Sequence, residues 1–412
     1  MQYASRVNLA AGANEVAGVQ AHWLARAGVE QAIAELMADD AGVDSMLDYW
    51  WEDSLIFEKV TLGSGTYSVI APRLEGLGDS GPRYGLEDLA ARININVVDE
   101  RQLEALNLLT DSQIAAILDW RDANGTVRPG GAGLAYYQGL ALPYQVRGGP
   151  MQSLHELRLV RGIDDEVFFG RTTNPDIQHF VTQERGMPMS GNVDDARDMG
   201  LWRLATVYSY DRNRTATDGE RVNVNEADGQ TLQQRFDFTS ELAEAVQQGD
   251  FTNLMELLDV EPSSQGSGSQ GRDRGNDDSE AQLSEITLAW LAEHLDELTV
   301  SDEERLPGLI NINTAPRVVL MSLPEVDRDA ADAIIAYRQG SNGPFRSVGE
   351  LYSGAQVHEQ VFKAIAERVT VRSNVFQVTS VGTSATGISR QIVAVVDRGV
   401  SPAQVLYWYQ SP

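Results

Sequence analysis

Cysteine is absent from the 412 residues of this chain. Without a thiol, the chain can form no thiolate nucleophile, no cysteine-ligated zinc site and no disulfide framework. Apolar runs of about 18 residues, the length that spans a bilayer, are also absent. No basic start followed by an apolar stretch marks a signal peptide. These absences exclude several kinds of site but do not identify the compartment, because cysteine-free chains occur in reducing and in oxidising locations.

Basic residues are scarce, since 32 lysines and arginines stand against 60 aspartates and glutamates and give a formal net charge of −28. A surface this acidic repels phosphate backbones and anionic lipid headgroups, so nucleic acid and membrane surfaces are not expected partners. Hydrophobic residues make up 42% of the chain, which is enough for a substantial core. At this length we expect two or three domains rather than one.

The sequence patterns of common active sites are missing as well. The segment Gly76–Gly81 has the glycine spacing of a dinucleotide-binding loop, but Pro82 and Arg83 follow it where a helix should open. The serines do not occur in a G-x-S-x-G elbow. No metal-binding spacing connects the five histidines, which are His22, His155, His179, His294 and His358. We therefore predict a protein that is not an enzyme, has no catalytic residues and requires no cofactor.

The chain does contain one very long helical pattern, from about Ser5 to Ala38. Apolar residues recur there every three or four positions. A globular body covers only part of a helix about 50 Å long, so its earlier turns should contact a partner. We predict that this partner interface consists of Val16, Val19, Trp23 and Ala27.

The same helix carries two further predictions. Its later apolar residues should pack on the chain's own sheet; these are Ile33, Leu36 and Met37. Small residues beside the stripe would let a neighbouring helix approach closely, and these are Ala17, Gly18, Ala21 and Gly28.

Three short segments, at residues 92–96, 221–225 and 309–313, alternate apolar residues with asparagine and run into helix-start signals. The first and third continue alike through two short amphipathic helices to an arginine 25 positions after the last asparagine. Both end in a serine-x-x-glutamate capping box, at residues 153–156 and 347–350. This agreement indicates an internal repeat, of which the middle copy keeps the strand but lacks the later landmarks.

The third copy resembles the helix-hairpin-helix family in its segment Leu323–Asp327. The family's hairpin reads leucine-proline-glycine-x-glycine, and its backbone N–H groups hold a DNA phosphate. This chain has Glu325 and Asp327 at the two glycine positions, which places negative side chains where the phosphate would lie. The sequence therefore predicts the scaffold without its DNA-binding chemistry.

A candidate metal site follows the second helix of the first copy. Asp119, Asp122 and Asn124 offer side-chain oxygens just before Gly125 and a glycine-rich loop. Calcium favours clustered oxygen ligands on flexible loops, so these three residues are a candidate calcium site. The spacing of an EF-hand is not met, and an ordinary Asn-Gly turn is the alternative.

Taken together, these segments resemble the K-type minor pseudopilin of bacterial type II secretion (general secretion pathway protein K). The resemblance is carried by residues 25–32, 92–96, 119–122, 153–162 and 375–396. It implies an α+β, pilin-like fold in which a long N-terminal helix packs on an antiparallel sheet. A large inserted, mainly α-helical domain would contain the helix-hairpin-helix-like repeats.

On this basis we predict five parts of the chain. The pilin-like helix and first strands would occupy residues 1–96, and a first helix-hairpin-helix-like unit would occupy 97–200. A degenerate middle unit at 201–308 would carry a flexible acidic linker at 261–280. A second helix-hairpin-helix-like unit would occupy 309–370, and C-terminal strands at 371–412 would complete the sheet.

The resemblance also implies a non-enzymatic subunit at the tip of the periplasmic pseudopilus, bound to the I- and J-type minor pseudopilins and supporting protein export. The family's membrane-spanning start, which anchors it to the periplasmic side of the inner membrane, is missing from this sequence. The alternative is a periplasmic DNA receptor of the competence type, which would use the third copy. The hairpin sequence and the charge of −28 argue against that alternative.

Overall fold

The computed structural model describes residues 2–73, 82–171, 194–262 and 282–411, with side chains from residue 7 onward. The loop Gly76–Gly81 and His179 lie outside the described residues, as does the predicted linker 261–280 apart from its first two positions. None of the helices in the described part of the chain combines the length and the hydropathy that a bilayer span requires.

Helix α1 extends over Gln2–Ala38 without interruption. The other described helices are short, and most begin just after an aspartate or threonine whose side chain accepts a backbone N–H of the first turn. They are α2 Ser54–Phe57, α3 Glu100–Ala105, α4 Asp111–Arg121, α5 Leu134–Gln138, α6 Asp165–Phe169, α7 Ala196–Leu204, α8 Gly229–Phe236, α9 Ser240–Gln247, α10 Leu288–His294, α11 Arg317–Leu320, α12 Arg328–Gln339, α13 Glu350–Ser353 and α14 Glu359–Ile365.

The described strands are β1 Val60–Leu62, β2 Gly65–Ile70, β3 Glu87–Asp88, β4 Ile93–Asn94, β5 Ala205–Thr206, β6 Tyr210–Arg212, β7 Val222–Asn223, β8 Leu298–Thr299, β9 Arg305–Pro307, β10 Ile310–Asn311, β11 Val369–Thr370, β12 Val375–Thr383, β13 Ser389–Asp397 and β14 Gln404–Gln410. Among the described strands, β2 and β12–β14 have six or more residues, and the others have two or three.

The main sheet is antiparallel and has the strand order β1-β2-β12-β13-β14, with β3 pairing beside β2 on β12. Val69 of β2 lies opposite Ser380 of β12, so strands from both ends of the chain are direct neighbours. Helix α1 packs on β2, β12 and β13. The predicted combination of a long helix with an antiparallel sheet is therefore confirmed.

The core between α1 and the sheet is apolar. Val29 and Leu36 of the helix meet Val69, Phe376 and Ile392 of the sheet, and all five are buried. Leu36 and Ile33 pack on the chain's own sheet as predicted, whereas Met37 is 45% exposed. Met37 directly follows Leu36, and a helix turns successive side chains about 100° apart, so the two face different surroundings.

The region between β3 and β12 contains three similar units, and the antiparallel pair β6–β9 lies outside them. In each, a short strand from the apolar–asparagine segment pairs in parallel with a second short strand at the end of the unit. A parallel pair needs a crossover connection, and the helices supply it. Units 1, 2 and 3 extend over residues 93–206, 222–299 and 310–370.

The second asparagine of each apolar–asparagine segment, two positions after the strand ends, explains the repeated sequence pattern. Its side-chain amide donates to the backbone carbonyl of a distant residue and accepts the backbone N–H of that distant residue. The side chain thus makes the two hydrogen bonds that a paired strand would make. Buried backbone groups need such partners, which the helices of the crossover do not provide. The pairs are Asn96 with Met151, Asn225 with Phe251, and Asn313 with Phe345.

Unit 2 is more complete than the sequence predicts. It contains a helical hairpin, α8 and α9, and a 3-10 helix at Leu254–Asp259 that matches the one at Leu154–Leu159 of unit 1. Glu256 accepts the N–H of Thr252, as Glu156 accepts that of Gln152. The serine of the capping box is lost as the sequence predicts, because Asn253 takes its place and makes no side-chain cap. The helical hairpin and the 3-10 helix were not predicted, because the asparagine and the residue that it hydrogen-bonds are 55, 26 and 32 positions apart in the three units.

Candidate functional site

The predicted interface residues lie on the face of α1 that the sheet does not cover. Val16 is 70% exposed, Val19 55% and Trp23 57%, while Ala27 is half-buried. Leu9 lies two turns before Val16 on the same face and is also exposed. Large apolar side chains that are exposed in a continuous row are typical of protein–protein contact surfaces. We call Leu9, Val16, Val19, Trp23 and Ala27 the α1 stripe.

Trp23 is held in place by polar neighbours on its own helix. The guanidinium carbon of Arg26 lies 5.4 Å from the centre of the indole ring, and Arg26 also pairs with Glu30. His22 contacts the ring edge-on, with ring centres 5.4 Å apart. These contacts reduce the number of rotamers open to Trp23, so a partner that binds the ring has less side-chain entropy to remove.

The small residues of α1 face the chain's own sheet and not the predicted neighbouring helix. Ala17, Ala21 and Gly28 are buried, and a Cβ atom on Gly28 would lie 2.2 Å from Ser380 Oγ. On the sheet side, a Cβ on Gly382 would lie 2.1 Å from the backbone oxygen of Ala21. The prediction that these residues admit a neighbouring helix is thus wrong. Small residues do permit close approach, but the surface that approaches them is β12 of the chain's own sheet.

The candidate calcium residues are brought together, with an arginine between them. Asp119 is buried, and its carboxylate accepts the backbone N–H groups of Arg128 and Ala132. Arg128 Nη1 lies 2.9 Å from Asp119 Oδ1, and the same guanidinium lies 3.4 Å from Asp122. Asn124 donates to Asp122 through both its backbone and its side chain.

This geometry leaves little room for a cation. The guanidinium of Arg128 already supplies positive charge to both carboxylates, and two backbone donors occupy further lone pairs of Asp119. A calcium ion needs six to eight oxygen ligands, so it could bind only if Arg128 swung away. The calcium site therefore stays a prediction, and in the described conformation Asp119 organises the loop through Arg128.

A buried polar cluster, which has no local sequence signal, joins α1, the main sheet and unit 3. Arg398, just after β13, contacts Asp44 and Asp39 on the segment that follows α1. Asn311 of β10 donates to the backbone oxygen of Asp44 and to the carboxylate of Asp88. Carboxylate oxygens of Asp39, Asp44 and Asp48 lie within 4.8 Å of one another. Arg398 already provides the positive charge among these acids, so we do not assign a metal there.

Burial is the largest influence on the pKa values of Asp44 and Asp88 in this cluster. It raises the pKa of Asp44 to about 8, against the opposing effect of Arg398, and it also raises the pKa of Asp88. Hydrogen bonds from Thr314 and Ser373 lower the pKa of Asp88 and so partly oppose the effect of burial. The cluster thus holds acidic groups that favour the protonated form more than exposed aspartates do.

The hairpins of the three units share one backbone feature. Each has a residue with a side chain in the left-handed region, namely Asn107 at φ 52°, Asp237 at φ 55° and Glu325 at φ 60°. Glycine would adopt this conformation more easily. Glu325 accepts a hydrogen bond from Gln360, and Asp327 caps α12 by accepting the N–H of Ala330. Both acidic side chains are thus engaged at the hairpin where the DNA-binding family has glycine.

Two family models match the chain. A model for type II secretion system protein K matches residues 90–169, and a model for the helix-hairpin-helix motif matches residues 308–370. The first range covers the start of unit 1 through α6, and the second covers unit 3. The resemblance to the K-type pseudopilin is therefore confirmed over residues 90–169, and the helix-hairpin-helix resemblance is confirmed for unit 3.

Similarity to solved structures extends over nearly the whole chain in the following example. A chain in the crystal structure of the GspK–GspI–GspJ complex, from the type 2 secretion system of enterotoxigenic Escherichia coli, aligns with a TM-score of 0.49 and 13% sequence identity. The alignment covers 95% of this chain and 96% of the other. A comparison with curated protein sequences gave no match.

Proposed function

We propose that this chain is a minor pseudopilin of the K type, a structural subunit that assembles with other pseudopilins at the tip of a type II secretion pseudopilus. The observation that carries the proposal is the exposed α1 stripe, on a helix whose opposite face is buried against the sheet. The family match at residues 90–169 supports the same assignment. The role needs no catalytic residue and no cofactor, and it supports protein export through assembly alone.

The fold supports this proposal in its connectivity. We infer a pilin-like body made of α1, β1–β3 and β12–β14, into which the three units are inserted as one helical domain. The α1 stripe lies on this body, and the described residues of the inserted units leave it exposed. The proposed location is the periplasmic side of the bacterial inner membrane, and the proposed partners are the I- and J-type minor pseudopilins.

Co-purification with the I- and J-type proteins of the same secretion system tests the proposal. Trp23→Glu places a charge at the centre of the α1 stripe and should abolish co-purification, because large aromatic side chains dominate such contacts. Leu55→Glu is the matched control, since Leu55 is 93% exposed but lies off the stripe. Both variants should melt at the temperature of the unchanged protein. Retained binding by Trp23→Glu would contradict the proposed interface.

The DNA-receptor alternative is not favoured by the hairpin geometry or by the charge. Glu325 and Asp327 place carboxylates at the hairpin, and the chain carries a net charge of −28, so we expect little of the counterion release that drives DNA binding. We expect no gel shift with duplex DNA at micromolar protein and about 150 mM salt. A shift under those conditions would make the receptor the better proposal.

A further inference from the structure

The chain contains two Asn-Gly pairs, Asn124-Gly125 in the loop after α4 and Asn342-Gly343 after α12. In such a pair the backbone nitrogen of the glycine can attack the side-chain amide carbon of the asparagine, because glycine has no side chain that shields this nitrogen. Asn124 and Gly125 are both exposed, and nothing lies within 4 Å of the position that a Cβ on Gly125 would take. The first pair therefore has room to change its geometry.

The two glycine nitrogens differ in their hydrogen bonds. Among the described residues, no acceptor takes the N–H of Gly125. The N–H of Gly343, by contrast, donates to the backbone oxygen of Gly340 at 3.2 Å. A Cβ on Gly343 would also lie 2.4 Å from the backbone oxygen of Arg338, so this glycine is packed against the end of α12. The nitrogen is thus available in the first pair and engaged in the second.

The side-chain amide of Asn124 is held in a way that favours this attack. Its Oδ1 accepts the backbone N–H of Thr126 at 2.7 Å, and its Nδ2 donates to Asp122 Oδ2 at 3.0 Å. When the nitrogen of Gly125 adds to Cγ, negative charge develops on Oδ1. A donor that already points at this oxygen stabilises the charge and so lowers the barrier.

We propose that Asn124 is a site of spontaneous deamidation, whereas the fold protects Asn342. A bond forms between Gly125 N and Asn124 Cγ, the Cγ–Nδ2 bond breaks, and Nδ2 leaves as ammonia after it takes up the proton of Gly125 N. Water then opens the cyclic succinimide at one of its carbonyl carbons, which gives aspartate or isoaspartate. The reaction needs only water, so it does not depend on the proposed function.

Deamidation changes the charge of the loop. The amide of Asn124 donates to Asp122, whereas the carboxylate of the product has no proton to donate at neutral pH and repels the carboxylate of Asp122. Isoaspartate also lengthens the backbone by one carbon atom just before Gly125. Each event adds one negative charge, so the modified protein should separate from the unchanged protein on an anion exchanger.

Peptide mapping by mass spectrometry, on the full chain incubated in mildly alkaline buffer, tests the proposal. Asn124 should convert at least about tenfold faster than Asn342, because Gly343 must first open locally. Asn107 is exposed as well, but Leu108 follows it and shields the backbone nitrogen, so Asn107 should convert slowly too. Equal rates at Asn124 and Asn342 in the folded protein overturn the proposal, as does an Asn124 that converts no faster than Asn107.

Unfolding separates the effect of the fold from that of the sequence. In guanidinium chloride the rates at Asn124 and Asn342 should come within about threefold of each other, because the hydrogen bond of Gly343 is lost. An Asn342 that stays slow in the unfolded chain overturns the proposed protection.

A matched pair of substitutions at the two exposed asparagines completes the test. Asn124→Gln should abolish the more acidic form on the anion exchanger, because the longer side chain closes a ring less readily. Asn342→Gln should leave that form unchanged. An acidic form that persists in Asn124→Gln and disappears in Asn342→Gln overturns the assignment to Asn124.

Discussion

Arg398 Nη2 donates to both carboxylate oxygens of Asp44, at 2.5 and 2.6 Å, and so ties the end of β13 to the segment that follows α1. The two residues are 354 positions apart in the sequence. Asn311 of unit 3 donates to the backbone oxygen of the same aspartate. One buried aspartate thus links the helix, the sheet and the inserted units, and the ionisation of its carboxylate should be visible in the stability of the whole protein.

The first prediction concerns this ionisation. Burial raises the pKa of Asp44 to about 8 from 3.8, so between about pH 4 and pH 8 the folded protein holds a proton that the unfolded chain releases. The contribution of Asp44 to the free energy of unfolding should therefore fall as the pH rises through this window. In urea unfolding at pH 5 and pH 8, Asp44→Asn should lose this part of the pH dependence. Glu15→Gln, at an exposed position of α1, should follow the unchanged protein, and an Asp44→Asn profile parallel to both would contradict the prediction.

The second prediction concerns the asparagine of each unit that hydrogen-bonds the backbone of a distant residue. Asn313→Ala leaves the buried N–H and C=O of Phe345 without partners and should lower the free energy of unfolding by about 2–4 kcal/mol. Asn96→Ala should cost about half as much, because Asn96 is only half-buried and water can replace its side chain. Denaturant unfolding measures both values. Equal losses in the free energy of unfolding for the two variants would show that solvent access does not determine the size of the loss.

The third prediction concerns the contact between α1 and β12. Gly382→Ala would place a Cβ 2.1 Å from the oxygen of Ala21 and 2.2 Å from the nitrogen of Ala25, both backbone atoms that cannot rotate away. We expect a loss of about 1–3 kcal/mol in the free energy of unfolding, as for overpacking. Gly12→Ala is the control, since nothing lies within 4 Å of the added atom. It should raise stability by about 0.5–1 kcal/mol, because alanine favours the helix.

The fourth prediction concerns Arg128 and calcium. If calcium binds at Asp119, Asp122 and Asn124, it must displace the guanidinium that now pairs with both aspartates. Arg128→Ala should therefore show a larger rise in melting temperature with added calcium than the unchanged protein does. The double variant with Asp122→Ala should show none. A response that is the same in all three proteins would mean that calcium binds elsewhere.

Several elements were predictable because their signals are local. The period of α1 gives both its buried face and the exposed row at Val16, Val19 and Trp23, and the alternation at residues 66–70 gives β2. The repeated asparagines predict the short strands, although the pairing of Asn225 with Phe251 follows only from the structure.

Other features escaped the sequence for physical reasons. The helical hairpin of unit 2 was not predicted because the number of residues between the asparagine and its hydrogen-bond partner differs between the units. The hydrogen bonds of that pair are nevertheless the same in all three units. The link from Asp44 to Arg398 depends on long-range packing, and neither residue has a local pattern that marks it. Ala21 and Gly28 indicate a close neighbour, but the size of a side chain does not say whether that neighbour is a helix or a sheet.

The pairing of Val69 with Ser380 sets an order of events during synthesis, because 311 positions separate the two partners. At about 5–20 residues per second, β12 leaves the ribosome roughly 15–60 s after β2. Units 1 and 2, by contrast, have both strands of their parallel pairs, which end at Thr206 and Thr299, well before β12 is made. The nascent chain therefore carries the apolar face of α1 without most of its sheet while the units fold. Chaperones that bind exposed apolar helices should act on Leu24, Val29 and Leu36 in this interval, and release should follow the arrival of β12 and β13.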